Sequence, residues 1–224
     1  MRTVVYTGTR NVYEDMAAAC KSLLYHQGAD RVVFMIEDDF FPDILPPMVE
    51  PMNVSRQEFF DRDGPNYNCR WTYMTLMKMA VPFLLTGRVL VLDIDTIVNG
   101  SLDGLWSLPP APIWMAREVG RTEEYYNCGV VLMDCEAFQA DAEKIIERIN
   151  LRRMDFPEQD AVNAIMRGRI AQLPPEYNAS GWTVRPEGEP VIRHFAAIRR
   201  WQTDPLWQKY ASMTWDEATG APLV

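Results

Sequence analysis

The stretch VLVLDIDTIVNG, residues 89–100, limits the fold more than any other part of the chain. Four apolar residues, Val89 to Leu92, run without alternation into Asp93 and Asp95. A strand that does not alternate is covered on both faces, as a central strand of a mostly parallel sheet is. Carboxylates at the end of such a strand are costly unless something is bound there. Residues i and i+2 of an extended segment point the same way, so both aspartates can face one cation. Hard divalent ions such as Mn²⁺ and Mg²⁺ prefer carboxylate oxygen and often keep phosphate oxygens as further ligands. The simpler reading is a turn in which Asp95 bonds backbone amides. The tripeptide alone leaves both open.

The flanking pattern places this strand in an α/β chain. TVVYTG (3–8) and RVVFMIED (31–38) read as strands around a helix from Glu14 to Tyr25, which Gly28 ends. Residues 42–55 hold four prolines and read as loop with a short strand at most. Trp71 to Leu85 is a helical pattern that Pro82 kinks or ends. GVVLMD (129–134) is another strand, and Ala137 to Leu151 an amphipathic helix. A helix at 157–168 is opened by Asp155 as cap, with Pro157 near its first position, and closed by Gly168. A short strand at 169–173, VIRHF (191–195) and a Trp-rich tail follow. Alternation of this kind predicts one α/β domain with a mostly parallel central sheet flanked by helices. Ligands in such sheets bind beyond the carboxyl ends of strands. The tips at 7–11 and 93–95 should therefore line one crevice.

Composition removes some functions. A formal net charge of −9 argues against a general nucleic-acid surface. The four cysteines lack CxxC spacing and read as reduced thiols, which fits a cytoplasmic location. No run of 18 apolar residues is present, and the start has no signal-peptide pattern.

Two metal-using families place D-x-D at a strand end. Haloacid-dehalogenase-like phosphatases want Thr or Val four residues after the first Asp and the motif on the first strand. Here that residue is Ile97, and the motif lies mid-chain. From about residue 3 to 201 the chain instead resembles glycosyltransferase family 8, the group of glycogenin and the lipopolysaccharide galactosyltransferases. VVYTGTRNVYEDMAAACKSL, RVLVLDIDTIVNGSLDGLW, YYNCGVVLMD, FPEQDAVNAIMRGRIAQLPPEYN and VIRHFAAIRRW are similar to that family's motifs in the same order.

The resemblance implies the Rossmann-like GT-A nucleotide-diphospho-sugar transferase fold. Residues 1–224 form one domain, with a nucleotide-binding half (about 1–95), a donor-sugar and acceptor half (96–200) and a Trp-rich tail (201–224). It implies a metal-dependent, retaining transfer of a hexose from a UDP-sugar, UDP-glucose or UDP-galactose. Thr7, Thr9, Asn11 and Tyr13 would hold the uridine, with Tyr13 stacking on the base. Asp93, Asp95 and His194 would bind Mn²⁺ or Mg²⁺, with Ile94 beside the nucleotide. Lys78 would meet a phosphate or a donor-sugar hydroxyl. Asn127 and Gly129 would contact the donor sugar, though Gly129 can equally serve close packing. Glu158, Gln159 and Asp160 would be the catalytic group, with Glu158 and Gln159 also on the donor sugar. Glu158 has a second reading, as the partner of Asp155 in a capping box; Gln159 and Asp160 are not needed for that cap.

Two departures stand out. The family's first acid of D-Q-D is Asp, where this chain has Glu158. Its glycine and lysine of His-x-x-Gly-x-x-Lys are replaced by Ala197 and Arg200, so Arg200 or Arg199 would meet the donor phosphate. A catalytically weak or inactive nucleotide-sugar-binding protein is therefore the alternative, and a metal-dependent phosphatase a third reading. The tail's Trp201, Trp207, Tyr210 and Trp215 serve docking over the core or sugar stacking. The acceptor is a carbohydrate or glycoconjugate, a protein among the options, and a homodimer stays open.

Overall fold

In the computed structural model, which describes residues 1–39, 44–121 and 123–220, the non-alternating runs become the centre of one sheet. The element order is β1 (Thr3–Gly8), α1 (Tyr13–Tyr25), β2 (Arg31–Ile36), β3 (Val49–Asn53), a 3₁₀ stretch (Tyr73–Ala80) running into α2 (Val81–Leu84), and β4 (Arg88–Leu92). Then come β5 (Thr96–Val98), α3 (Asp103–Trp106), β6 (Ile113–Arg117), β7 (Tyr126–Asp134), α4 (Cys135–Leu151) and α5 (Pro157–Ile165). The chain continues through β8 (Ala171–Gln172), β9 (Ile192–His194), α6 (Pro205–Ala211) and α7 (Trp215–Thr219).

The strand order is β3-β2-β1-β4-β7-β6-β8. Neighbours from β3 to β4 are parallel, as are β6 and β8. β7 runs antiparallel to both β4 and β6. Side chains alternate between two cores: Val5, Val33 and Val91 face the layer of α2, α4 and α5, while Val4, Val32, Leu90 and Leu92 face α1 and α3. Coverage on both faces is what the unbroken apolar runs require. The reversal at β7 matters for the site. It sets the amino end of β7 beside the carboxyl end of β4, with Leu92 opposite Val130 and Asp93 N–H donating to Gly129 O at 2.8 Å. A separate pair, β5 with β9, sets Thr96 opposite His194.

Several expectations shift. The 71–85 helix is mostly 3₁₀: a turn at Thr72, with φ +64°, precedes it, and Thr72 Oγ1 accepts from Met74 N–H. Pro82 does not break it but sits in the first turn of α2, where a missing N–H costs nothing. The cap of α5 is Phe156 rather than Asp155, without a side-chain bond of its own; Asp160 Oδ2 accepts the Phe156 N–H instead. No Asp155–Glu158 capping box forms, because Glu158 turns inward. α5 ends at Ile165, short of Gly168. The 191–195 strand joins β5 instead of the main sheet. Within the proline-rich 42–55 segment, 42 and 43 lie outside the described residues, and 49–53 is the edge strand β3. The tail docks: Trp207 and Tyr210 are buried against Ala18, Ile97 and Phe195.

Candidate active site

Asp93 and Asp95 leave the end of β4 just where β7 begins. Thr96 Oγ1 donates to Asp93 O at 2.7 Å, so the turn after the strand is tied down without using either carboxylate. The β5–β9 pair carries His194 to the same point. Its Nε2 lies 3.2 Å from Asp95 Oδ1 and 3.9 Å from Asp93 Oδ2. One potential ligand atom from each of the three residues falls within 4.8 Å of the others. Gly129 makes room for the ring: a Cβ there would stand 2.0 Å from His194 Cε1. The close-packing reading of Gly129 is therefore the structural one.

Burial alone would hold the His194 pKa down, but the Asp95 and Asp93 charges outweigh it and raise it. Burial would likewise raise Asp95, and the His194 charge brings it down instead. Two carboxylates and an imidazole converging at the rim of a crevice are a donor set that fits Mn²⁺ or Mg²⁺. His194 Nδ1 is held 2.9 Å from Asn178 Oδ1, so Nε2 is the nitrogen turned toward the carboxylates.

Lys78 is buried behind the pair. Its Nζ meets Asp93 Oδ1 at 2.8 Å, Glu158 Oε1 at 3.2 Å and Cys128 O at 3.3 Å. Burial by itself would lower its pKa, yet Asp93 and Glu158 raise it. Two hydrogen bonds and an ion pair to protein groups surround the ammonium, and the side chain is buried, so Lys78 is turned to protein and not toward a phosphate as expected. It holds Asp93 instead. Glu158 also accepts from Thr75 Oγ1 at 3.0 Å, and its second oxygen, Oε2, is buried with no protein partner.

The remaining expectations divide. Asn127, Gly129, Glu158 and Gln159 do line a crevice of about 380 Å³ beside Asp93, Asp95 and His194. Asp160 does not line it; one of its oxygens accepts from Tyr125 OH and the other from Phe156 N–H. It closes the start of α5, the duty the sequence reading had denied it. Thr7, Thr9 and Asn11 lie at the β1 tip, with Thr9 Oγ1 bonded to Asn11 Oδ1; they do not line that crevice, so the expectation that the 7–11 and 93–95 tips share it is not met. Ile94 stands beside that tip: its Cγ2 is 3.9 Å from where a Gly8 Cβ would be. Tyr13 is only 5 % exposed and belongs to the core under α1, so its ring is not offered to a base. Ala197 lines the crevice with φ +59°. Arg200 does not line it; it is exposed, with φ +60°.

Sequence reasoning missed Glu118, Arg121 and the aromatic rim. Glu118 Oε1 accepts from Asn127 Nδ2 at 3.2 Å and Gln159 Nε2 at 3.1 Å, while Arg121 Nε reaches Oε2 at 3.2 Å. Trp71, Phe156 and Trp182 border the opening, each at least 42 % exposed, and Trp71 lies 5.5 Å from Phe156 ring to ring. Three exposed aromatics in one segment-poor region would have been a signal; they come from three distant segments, and only folding gathers them.

The chain is similar to several known proteins. The chain is 22% identical over 249 residues to "Glycosyltransferase GlyD" of Streptococcus pneumoniae serotype 4, covering 96% of this chain and 30% of that protein. It is 31% identical over 125 residues to "General stress protein A" of Bacillus subtilis, covering 46% of this chain and 44% of the relative. The chain thus spans less than half the length of either curated relative. Among solved structures, the glycosyltransferase GlyE of Streptococcus pneumoniae TIGR4 superposes with a TM-score of 0.75 at 18% identity, covering 98% of this chain and 62% of that one. The galactosyltransferase LgtC, solved with donor and acceptor sugar analogues, gives 0.67 at 16% identity, covering 93% and 95%. At such identities these likenesses show the GT-A fold alone. The model of the family "Glycosyl transferase family 8" matches residues 43–195, well over half of the chain. The chain belongs to glycosyltransferase family 8.

Proposed function

We propose that this chain is a metal-dependent, retaining hexosyltransferase that uses a UDP-sugar, UDP-glucose or UDP-galactose, and a carbohydrate or glycoconjugate acceptor. The observation that carries the reading is the meeting of Asp93, Asp95 and His194 at the mouth of a crevice lined by hydrogen-bonding groups. A divalent ion held there would act as a Lewis acid on the leaving diphosphate. Thr7, Thr9 and Asn11, at the β1 tip, serve the nucleotide. On the opposite side, Asn127, Gly129, Glu158 and Gln159 serve the donor sugar.

Within that crevice the protein groups mainly position. Glu158 is the wall acceptor assigned to a sugar hydroxyl: it lines the crevice, and its Oε2 has no protein partner. Leaving such an oxygen unpaired costs about 1–3 kcal/mol, which a donor hydroxyl would recover. Gln159 is fixed between Cys128 N–H and Glu118, so its role is to hold the wall of the crevice to β7. Among the described residues no carboxylate pair of glycosidase type stands free in the crevice: Asp93 is bound to Lys78, and Glu118 to two amides and Arg121. Retention therefore rests on orientation and charge stabilisation, with the departing phosphate taking the acceptor's proton. Trp71, Phe156 and Trp182 offer exposed ring faces for the acceptor. Four free cysteines, three of them buried, suit a reducing cytoplasm.

The alternative, a weak or inactive nucleotide-sugar binder, draws on Ala197 in a left-handed conformation and Arg200 turned to solvent. Calorimetry and turnover with a panel of UDP-sugars and Mn²⁺ separate the readings. Metal-dependent UDP-sugar hydrolysis is the expected result. Tight binding without turnover would select the inactive binder. Phosphomonoester hydrolysis with no UDP binding would overturn both.

A further inference from the structure

Between the crevice wall and His194 runs an unbroken file of amide side chains. Glu118 is 8 % exposed and sits just after the irregularity where β6 and β7 lose register, between Met115 and Ala116. The lost register leaves the N–H groups of Cys128 and Gly129 without strand partners on that side. Side-chain amides take them: Gln159 Oε1 accepts from Cys128 at 2.9 Å and Asn127 Oδ1 from Gly129 at 2.9 Å.

The donor–acceptor chemistry then fixes each member in turn. A carboxylate only accepts, so both amide nitrogens must face Glu118. Asn127 therefore presents Oδ1 away from Glu118, where Asn178 Nδ2 donates to it at 3.0 Å. Asn178 in consequence turns its own Oδ1 to His194 Nδ1, 2.9 Å away. An amide oxygen only accepts, so Nδ1 must carry the proton. Nε2 faces Asp93 and Asp95: with a metal held between them it would present its lone pair, and without one it can donate to Asp95 Oδ1, 3.2 Å away. A flipped Asn178 would set its Oδ1 against Asn127 Oδ1, two acceptors facing each other, so the buried amide keeps this orientation.

We infer that Glu118 is a positioning residue for the metal centre, acting through Asn127 and Asn178 to set the tautomer of His194. The inference rests on the metal reading of Asp93, Asp95 and His194. A carboxylate or amide behind a ligating imidazole orients the ring and raises its affinity for the metal. Here the carboxylate lies three side chains away and also anchors Gln159 of the sugar wall. One charge thus orients the metal side and the sugar side of the crevice together.

The chain has two histidines, and His26, bonded to Tyr210 OH, lies outside the site. His26→Gln leaves one imidazole, whose protonation is read by long-range ¹H–¹⁵N NMR on the Mg²⁺-loaded protein. The expected result is a proton on Nδ1, with Nε2 as the ligating nitrogen. A proton on Nε2, or ligation through Nδ1, overturns the inference and needs no variant of the relay itself. Mn²⁺ titration is the second measurement. Asn178→Leu should weaken binding by about 10- to 100-fold. Glu118→Ala should weaken it too, but by much less once Asn178 is already Leu, because the two act along one path. Unchanged affinity in Asn178→Leu, or fully additive effects, overturns the relay. Failure of the unaltered protein to bind either Mn²⁺ or Mg²⁺ removes the metal reading instead.

Discussion

The His194 ring occupies the space that a side chain on residue 129 would fill. A Cβ on Gly129 would stand 2.0 Å from Cε1 and 2.5 Å from Nδ1. Neither can give: the glycine is paired to β4 through Asp93 N–H, and the imidazole is tied to Asn178. Gly129→Ala should expel the ring and lower Mn²⁺ affinity by about 10- to 100-fold, as loss of a ligand's support does. Far-UV circular dichroism should stay native. Wild-type affinity in a folded Gly129→Ala would show that His194 is not a ligand.

Lys78 should prove a stability residue as well as a site residue. Its removal leaves Asp93 and Glu158 facing each other with no cation between them. Lys78→Met should cost about 3–5 kcal/mol in urea unfolding, the usual penalty for breaking a buried ion pair from one side. Adding Glu158→Gln should return part of that loss. A cost below about 1 kcal/mol would mean that water reaches the carboxylates and the ammonium is not needed.

The segment HFAAIRRW holds Ala197 at φ +59°, a conformation glycine adopts without cost. Ala197→Gly should stabilise the protein by about 0.5–1 kcal/mol, net of the entropy glycine adds to the unfolded chain. The measurement is the urea midpoint at constant m-value. Turnover in the same variant tests whether the alanine crowds the donor: a rise in kcat/KM would show that it does.

Asp141 of α4 makes two hydrogen bonds to Arg169, at 2.7 and 2.9 Å, and these hold its carboxyl below the usual range, against the opposing effect of burial. A carboxyl whose folded pKa is depressed adds stability above its unfolded pKa, about 3.9, and loses it as pH falls through the folded value. Asp141→Asn should therefore cost about 1 kcal/mol at pH 7, given that Arg169 is half exposed. The gap between the two proteins should close below about pH 4. A gap that does not narrow at all as pH falls below about 4 would assign the effect to packing.

Much of the architecture could be read in advance because apolar runs announce themselves. TVVYTG is the strand expected, RVVFMI ends two residues early, RVLVL stops at Leu92 where the strand was expected to run on through Asp95, and Asp93, Asp95 and His194 meet as expected. The misses share a cause. Lys78 was given to a ligand because a sequence does not show which carboxylates will surround an ammonium. Tyr13 was placed under a base because aromatic residues at a helix start look alike whether they face in or out. Asp155 fits a cap by spacing, yet Asp160 caps from inside the helix. Glu118 carried no signal, since its partners come from β7, α5 and a loop that only the fold brings together.

The β5–β9 pair has a consequence for the order in which the molecule assembles. Asp95 precedes Thr96, which pairs with His194 near the other end of the chain. The three ligand residues therefore do not exist as a site until nearly the whole sequence has come together. A cation bound there would act as a clasp on a very long loop. By mass action, it would shift the unfolding equilibrium of the entire chain and not of one segment.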